Sequence, residues 1–317
     1  MKKLIFSMIV ALMATVVARA QQIAVVSDGT TTLYHTLQEA IEGAPAGSVI
    51  YLPGGGFSIS KTVKITKKLT IIGIGYYAKS GNVDGITTIS GDLRFYSDGS
   101  AIMGCYITGE VLIADYYDTT APVNDIIIKY CNVGNITFGK KSNGTIIAQN
   151  YVRGTIDGCG SEVTISNNIT ASIVSVGSGK ICDNIITKTG YTGNSLGLIS
   201  NTTITGNIIC AGVDRSGSNP TSDNLVIGAT WGENNIEIDA DVEDLFEDWN
   251  NGEVSPTSNF HFKEAYKEYE SKVGIYAGSG FNDKRMAPVP YIVAKHIEDQ
   301  TDASGMLKVN IRVSAGE

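Results

Sequence analysis

The chain has 317 residues, with 24 Lys and Arg against 32 Asp and Glu, three His, five Cys and a formal charge of −8. That acidity disfavours nucleic acid and anionic membranes as partners, and it disfavours polyuronates unless Ca²⁺ bridges the like charges. Charged residues are few and the 36 glycines are many, as in a chain of short strands joined by repeated corners.

Residues 1–20 read as a signal peptide. Lys2 and Lys3 form a basic start, an apolar run follows, and Ala18-Arg19-Ala20 is a small-x-small cleavage site. The protein is therefore expected outside the cytoplasm, secreted or in the cell envelope. Loss of Lys2, Lys3 and Arg19 takes the charge to −11, and the remaining chain of about 297 residues suffices for one elongated domain. No later stretch is long and apolar enough for a spanning helix, so no integral membrane segment is expected after cleavage.

The spacing predicts a helix over residues 36–44. Thr36 with Glu39 forms a capping box, Leu37, Ala40, Ile41 and Ala44 make an apolar stripe, and Pro45 with Gly47 ends it. Such a helix suits the open end of a strand stack, where apolar residues and strand edges need cover. Residues 49–74 then alternate as strands, with Gly54-Gly55-Gly56 as a turn and Lys61, Lys64, Lys67 and Lys68 facing out.

Between Ile102 and Ile209 one pattern returns six times: Ile, two residues, Asn or Cys, one residue, then usually a β-branched residue. Its members are Ile102/Cys105, Ile128/Cys131, Ile147/Asn150, Ile165/Asn168, Ile181/Asn184 and Ile204/Asn207, at intervals of about 26, 19, 18, 16 and 23 residues. That is the scale of one coil in a stacked-strand solenoid. Coils about 4.8 Å apart superpose identical residues, so Asn150, Asn168, Asn184 and Asn207 are expected to form an inward hydrogen-bonded column headed by Cys105 and Cys131.

This repeat resembles the pectin-lyase-like right-handed parallel β-helix superfamily of exported bacterial type. So does the opening Thr36-Leu-Gln-Glu-Ala-Ile-Glu-Gly-Ala-Pro-Ala-Gly-Ser-Val-Ile-Tyr-Leu-Pro with Val63-Lys-Ile-Thr-Lys-Lys-Leu-Thr-Ile-Ile-Gly. The resemblance implies an all-β fold: a single-stranded right-handed parallel β-helix with an N-terminal capping helix and a C-terminal capping segment. The boundaries are 1–20 for the signal peptide, 21–238 for the β-helix with its cap and 239–317 for the closing segment. It says little of function, because the fold carries lyases, hydrolases, esterases and adhesins.

Beyond Asp239 the repeat fades. Val242, Leu245, Phe246 and Trp249 have helical spacing, residues 260–273 fit helix or extended chain, and Leu307, Val309, Ile311 and Val313 alternate as a final half-buried strand. Five cysteines cannot all pair within one chain. Buried free thiols are favoured over a bond between Cys105 and Cys131, and no C-x-x-C metal pair occurs.

Uronide lyase chemistry needs a base beside the substrate carboxylate, and Ca²⁺ or cations to neutralise that carboxylate. The charged residues of the repeat are scattered; Arg153 and Asp157 share a coil, so with Lys129 or Lys188 from neighbouring coils they are the catalytic candidates if the protein is an enzyme. There is no Asp-Asp pair in the repeat and no His between His35 and His261, against the fold's hydrolases. Tyr116, Tyr117, Tyr130, Tyr151, Tyr191 and Trp231 are candidate sugar-stacking rings. The sequence thus favours a carbohydrate-associated binding or structural module without cofactor or metal. The alternative is a polysaccharide lyase on an acidic glycan, with Ca²⁺ possible.

Overall fold

The computed structural model describes residues 22–59, 63–77, 85–115, 121–188, 193–213, 218–228, 231–232, 234–249, 255, 257–278, 280–282, 286–288, 290–298, 300–301 and 304–314. The expected signal peptide lies outside the described residues, as do Lys61, Tyr116, Tyr117 and Tyr191. Among the described residues no helix is long and apolar enough to cross a membrane.

The fold is all-β, with 24 strands among the described residues in one sheet whose pairing is predominantly parallel. At its start β1 (Ile23–Ser27) pairs antiparallel with β2 (Thr30–Tyr34) and with β3 (Val49–Tyr51), and α1 (Leu37–Gly43) lies between β2 and β3. The capping box forms as expected: Thr36 Oγ1 accepts from Glu39 N at 3.2 Å, and the Glu39 carboxylate accepts from Thr36 N at 3.2 Å. Leu37, Ala40 and Ile41 enter the same apolar core as Ile23, Val25 and Ile50. Lys67 reaches the end of α1, its Nζ donating to Glu42 O at 2.7 Å. The triple glycine is not simply a turn, because Gly55 and Gly56 open the strand Gly55–Ser58 and pair with Thr87 and Thr88. Backbone pairing across two coils outweighs the low strand propensity of glycine there.

The chain stacks three ladders of short parallel strands in a solenoid-like array. The first ladder carries the repeated isoleucines in register: Ile50, Ile71, Ile102, Ile128, Ile147, Ile165, Ile181 and Ile204 pair each with the next. Each is no more than 1 % exposed, so the six-member column read in the sequence is one buried row of eight. The second ladder turns Ile107, Val133, Val152, Ile186, Ile209 and Val226 into the same core, and the third adds Val63, Leu93, Val111, Ile136, Ile156, Ile173 and Leu196.

At the corner from first to second ladder stands the asparagine column. Cys131 N donates to Asn150 Oδ1 at 2.9 Å, and the chain of bonds continues from Asn150 N to Asn168 Oδ1, Asn168 N to Asn184 Oδ1 and Asn184 N to Asn207 Oδ1. It runs two coils further than the repeat suggested, to Asn224 and Asn235. Each amide nitrogen is also used: Asn150, Asn168, Asn184 and Asn207 Nδ2 donate to the carbonyls of Ile128, Ile147, Ile165 and Ile181. From Cys105 to Asn224 the residue before each column member is left-handed. Gly104, Tyr130, Gln149, Asn167, Asp183, Gly206 and Asp223 all have φ between 53° and 68°. Gly, Asn and Asp tolerate that region, which is why they recur before the asparagine.

The residue after the asparagine points the other way. Tyr151, Ile169, Ile185, Ile208 and Leu225 are paired in register on the outer side of the second ladder, yet all are buried in a second apolar cluster with Leu245, Phe246, Phe260, Phe262, Val273, Ile275 and Phe281. The C-terminal part supplies that cover. Residues 273–278 and 280–282 run along the asparagine corner: Gly274 N donates to Gly206 O at 2.6 Å, and Asn167 Nδ2 donates to Ile275 O and Ala277 O. Asn282 N donates to Gln149 Oε1 at 3.0 Å. Of the helical spacing at 242–249, only one turn forms, α2 (Val242–Leu245), because Phe246 leaves the helix to bridge Phe262. Residues 264–269 form a 3-10 helix.

The last strand differs from expectation. Val309–Ser314 pairs antiparallel with Tyr291–Ile297, but Leu307, Val309, Ile311 and Val313 are 47, 50, 51 and 57 % exposed rather than half-buried against a core. Alternation shows that a strand has two faces; it does not supply a surface for one of them to meet.

All five cysteines are free thiols, with Cys105, Cys131 and Cys182 buried. Burial pushes the Cys131 thiol up to about 12, and burial with the adjacent Asp183 pushes Cys182 up to about 11. Burial also pushes the Cys210 thiol up to about 12, so native alkylation at pH 8 is expected to spare the three buried thiols and to be slow at Cys210, while all five label in denaturant without reductant. Intact mass before and after unfolding reads this directly, and a cysteine that labels only after reduction would contradict it.

Candidate functional site

The four candidates read from the sequence do not converge. Lys129 stands on the outer side of the first ladder, paired with Met103 and Ala148. Arg153, at the corner from second to third ladder, lies over the ring of Tyr106 at 5.2 Å from its centroid. Its guanidinium donates to Asn132 Oδ1, Ile107 O and Thr108 O. Asp157 faces outward from the third ladder, and Lys188 borders a separate cavity beside Trp249. Arg153 and Asp157 are four residues apart, but register shifts between Val152 and Thr155 break the strand's alternation. Sequence spacing therefore does not carry over to a shared face.

Arg153 is held by these bonds to the protein. Its contacts make it a staple across three coils, so Arg153→Ala should cost about 1 to 3 kcal/mol, the range for hydrogen bonds to a charged group. A urea unfolding midpoint unchanged from wild type would count against that role. Tyr151 is 6 % exposed inside the second apolar cluster and is not available as a stacking ring, while Trp231 packs against the main core.

A better-formed concavity lies on the outer face of the third ladder. Lys64, Arg94, Leu112, Thr137, Asp157 and Val174 occupy successive in-register outward positions there. The central four, with Glu110 and Asp115 at the edges, line a groove of about 610 Å³ that also meets Cys159 and Ser175. Lys64, Arg94, Leu112 and Thr137 are each the middle residue of a three-residue strand whose two flanking residues face the core, as in Leu93-Arg94-Phe95 and Ile136-Thr137-Phe138, while Asp157 lies within the long strand Tyr151–Ser166.

The groove's polar groups are positioned by one another. Arg94 Nη1 pairs with Asp115, and the Tyr96 hydroxyl donates to the same carboxylate oxygen at 3.3 Å. Nε of Arg94 is buried with no protein partner. Asp92 Oδ1 accepts from Glu110 N at 3.0 Å, and Asp157 Oδ1 accepts from Cys159 N at 3.2 Å. Burial, and then the Asp92 charge, raise Glu110 above the usual carboxylate range, with Arg94 acting the other way. Its ionised form is thus disfavoured in the folded state, and its contribution to stability improves as pH falls through the raised value.

Three carboxylates and one guanidinium around a partly apolar floor provide acceptors for hydroxyl groups and a donor fork. They repel a polyanion. Among the described residues no three His, Cys, Asp or Glu side chains form a set that could hold a metal ion. Comparison with known proteins finds no match to this chain among protein-family models, curated proteins or solved structures.

Proposed function

We propose that the chain is an exported right-handed parallel β-helix protein of the pectin-lyase-like type, which binds a neutral polysaccharide along the outer face of its third ladder without transforming it. The winding is supported by the unbroken parallel register of three ladders, together with the strong right-handed preference of parallel crossover connections. Export is supported by the basic start, apolar run and cleavage site of residues 1–20.

The observation that carries the binding reading is the row Arg94, Leu112, Thr137 and Asp157, one residue per coil, flanked by Glu110 and Asp115. Coils repeat every 4.8 Å or so, close to the length of roughly one pyranose ring, so a glycan lying along the stack meets one side chain per sugar. Carboxylates accept from hydroxyls, Arg94 donates, and Leu112 offers an apolar patch to a ring face. The second reading, a lyase on an acidic glycan, has Arg94 as a cation for the uronate, but Asp115 already pairs with it.

The test is a panel of neutral and acidic polysaccharides, scored for binding and for unsaturated products with and without Ca²⁺. Wild type is expected to bind a neutral glycan with no rise in product absorbance, and Asp157→Ala to weaken binding about 10-fold or more. Turnover of an acidic glycan would replace this reading with the lyase.

A further inference from the structure

A second cavity lies away from the groove, where the corner after the second-ladder strand Ile185–Ile186 meets the C-terminal part. It is open to solvent, has a volume of about 540 Å³ and is lined by Thr187, Lys188, Asp241, Val242, Glu243 and Trp249. Phe246 stacks on the indole of Trp249 with centroids 5.5 Å apart, and Phe260 meets it edge-on at 6.4 Å. These contacts brace the ring, and it borders the cavity half-buried. Its neighbours Phe246 and Phe260 are themselves buried to within 1 %.

The charged groups around this ring are not consumed by one another. The Lys263 ammonium bonds the backbone oxygen of Glu243, leaving that carboxylate unengaged by it, and the hydrogen bond formed by Lys188 is through its backbone N to Ala171 O. Among the described residues no ion pair joins Lys188 to Asp241 or Glu243. One ammonium and two carboxylates thus face a cavity whose floor is an aromatic ring and Val242.

We infer that this cavity is a second carbohydrate site, which takes a neutral hexopyranose unit with its C–H face on Trp249. Hydroxyls of the sugar donate to Asp241 and Glu243 and accept from Lys188, so the three charges that do not pair with each other are satisfied by the ligand. Aromatic rings with one apolar face and polar groups at the rim suit such an amphipathic ring. The inference stands on this cavity and not on the third-ladder groove. With both sites filled, one molecule holds two glycan segments at once, and linked sites raise avidity well beyond either affinity.

The experiment is titration of the full exported chain with cellotetraose, mannotetraose, β-1,4-galactotetraose and fully N-acetylated chitotetraose, all neutral hexopyranose oligomers, followed by tryptophan fluorescence. Only Trp231 and Trp249 emit, and Trp249→Phe identifies the source while keeping an aromatic packing partner for Phe246. At least one of the four sugars is expected to give a saturable change. That change should vanish in Trp249→Phe and shift to at least 10-fold higher concentration in Lys188→Ala and in Glu243→Gln. The unfolding midpoints of the two charge variants should stay at the wild-type value, since both side chains are exposed. Asp157→Ala, in the other groove, should leave the titration unchanged. No response to any of the four sugars overturns the inference, as does a response that persists in the Lys188→Ala/Glu243→Gln double variant or one that Asp157→Ala abolishes. Loss of polysaccharide binding by Asp157→Ala with this titration intact separates failure of one site from failure of the other.

Discussion

Asn184→Ala is expected to destabilise the protein by roughly 3 to 6 kcal/mol. The side chain sits at 0 % exposure in the middle of the asparagine column. Its Oδ1 accepts from both Asn168 N and Asn168 Nδ2, and its Nδ2 donates to Ile165 O, Cys182 O and Asn207 Oδ1, all between 2.9 and 3.0 Å. Truncation leaves the Asn168 backbone N–H buried without its acceptor and takes one donor from the buried Ile165 carbonyl. Each loss costs about 1 to 3 kcal/mol, and the cavity adds to it. Cys182 O keeps the bond from Asn167 N, so it is not a further orphan. Asn235, the half-buried terminal member, has one neighbour in the column, and its replacement by alanine should cost about 1 kcal/mol. Urea unfolding of the two variants measures the contrast; equal midpoints would mean that the column is ornamental and that the isoleucine rows alone hold the coils.

The same column shows what a sequence discloses about this fold. Its asparagines were legible because one inward position per coil demands the same side chain, and the isoleucine three residues earlier was legible because it is always core. The third ladder was not, since strands such as Leu93–Phe95 and Val111–Ile113 expose a single residue each, too few to establish an alternation. Arg94, Leu112 and Thr137 could have been found only by aligning those strands coil on coil and asking which middle residue faces out. Arg153 and Asp157 were picked for sharing a coil, and the bend after Val152 sends them to different surfaces. The apolar residue after each asparagine, as in Asn168-Ile169 and Asn184-Ile185, was a signal passed over. A row of isoleucines on an outer face implies a covering segment, but that segment lies about 100 residues away, where no local pattern ties it to the repeat.

That covering segment carries the other large effect. Ending the chain after Lys272 removes Val273, Ile275 and Phe281, which are 1, 1 and 9 % exposed, and uncovers part of the outer row of the second ladder. At about 1.5 to 3 kcal/mol for each large side chain, the loss is on the order of 5 kcal/mol or more. Most or all of a typical domain's stability is of that size. The truncated protein should bind a hydrophobic dye, aggregate on concentration and unfold at much lower urea. Ending the chain after Pro290 makes the opposite case. Among the described residues the hairpin of Tyr291–Ile297 and Val309–Ser314 contributes none to either apolar cluster, and Ile297, Val309, Ile311 and Val313 are about half exposed. Its removal should leave the unfolding midpoint within a few tenths of a kcal/mol of wild type, the ordinary effect of a surface change. If both truncations unfold alike, the strap along the asparagine corner is not what seals the second ladder, and the outer isoleucine row must be held by Leu245, Phe246, Phe260 and Phe262. The Lys272 truncation also removes the tie between Gly274 and Gly206, so protease nicking near Asn207 should appear before global unfolding if the strap locks the later coils.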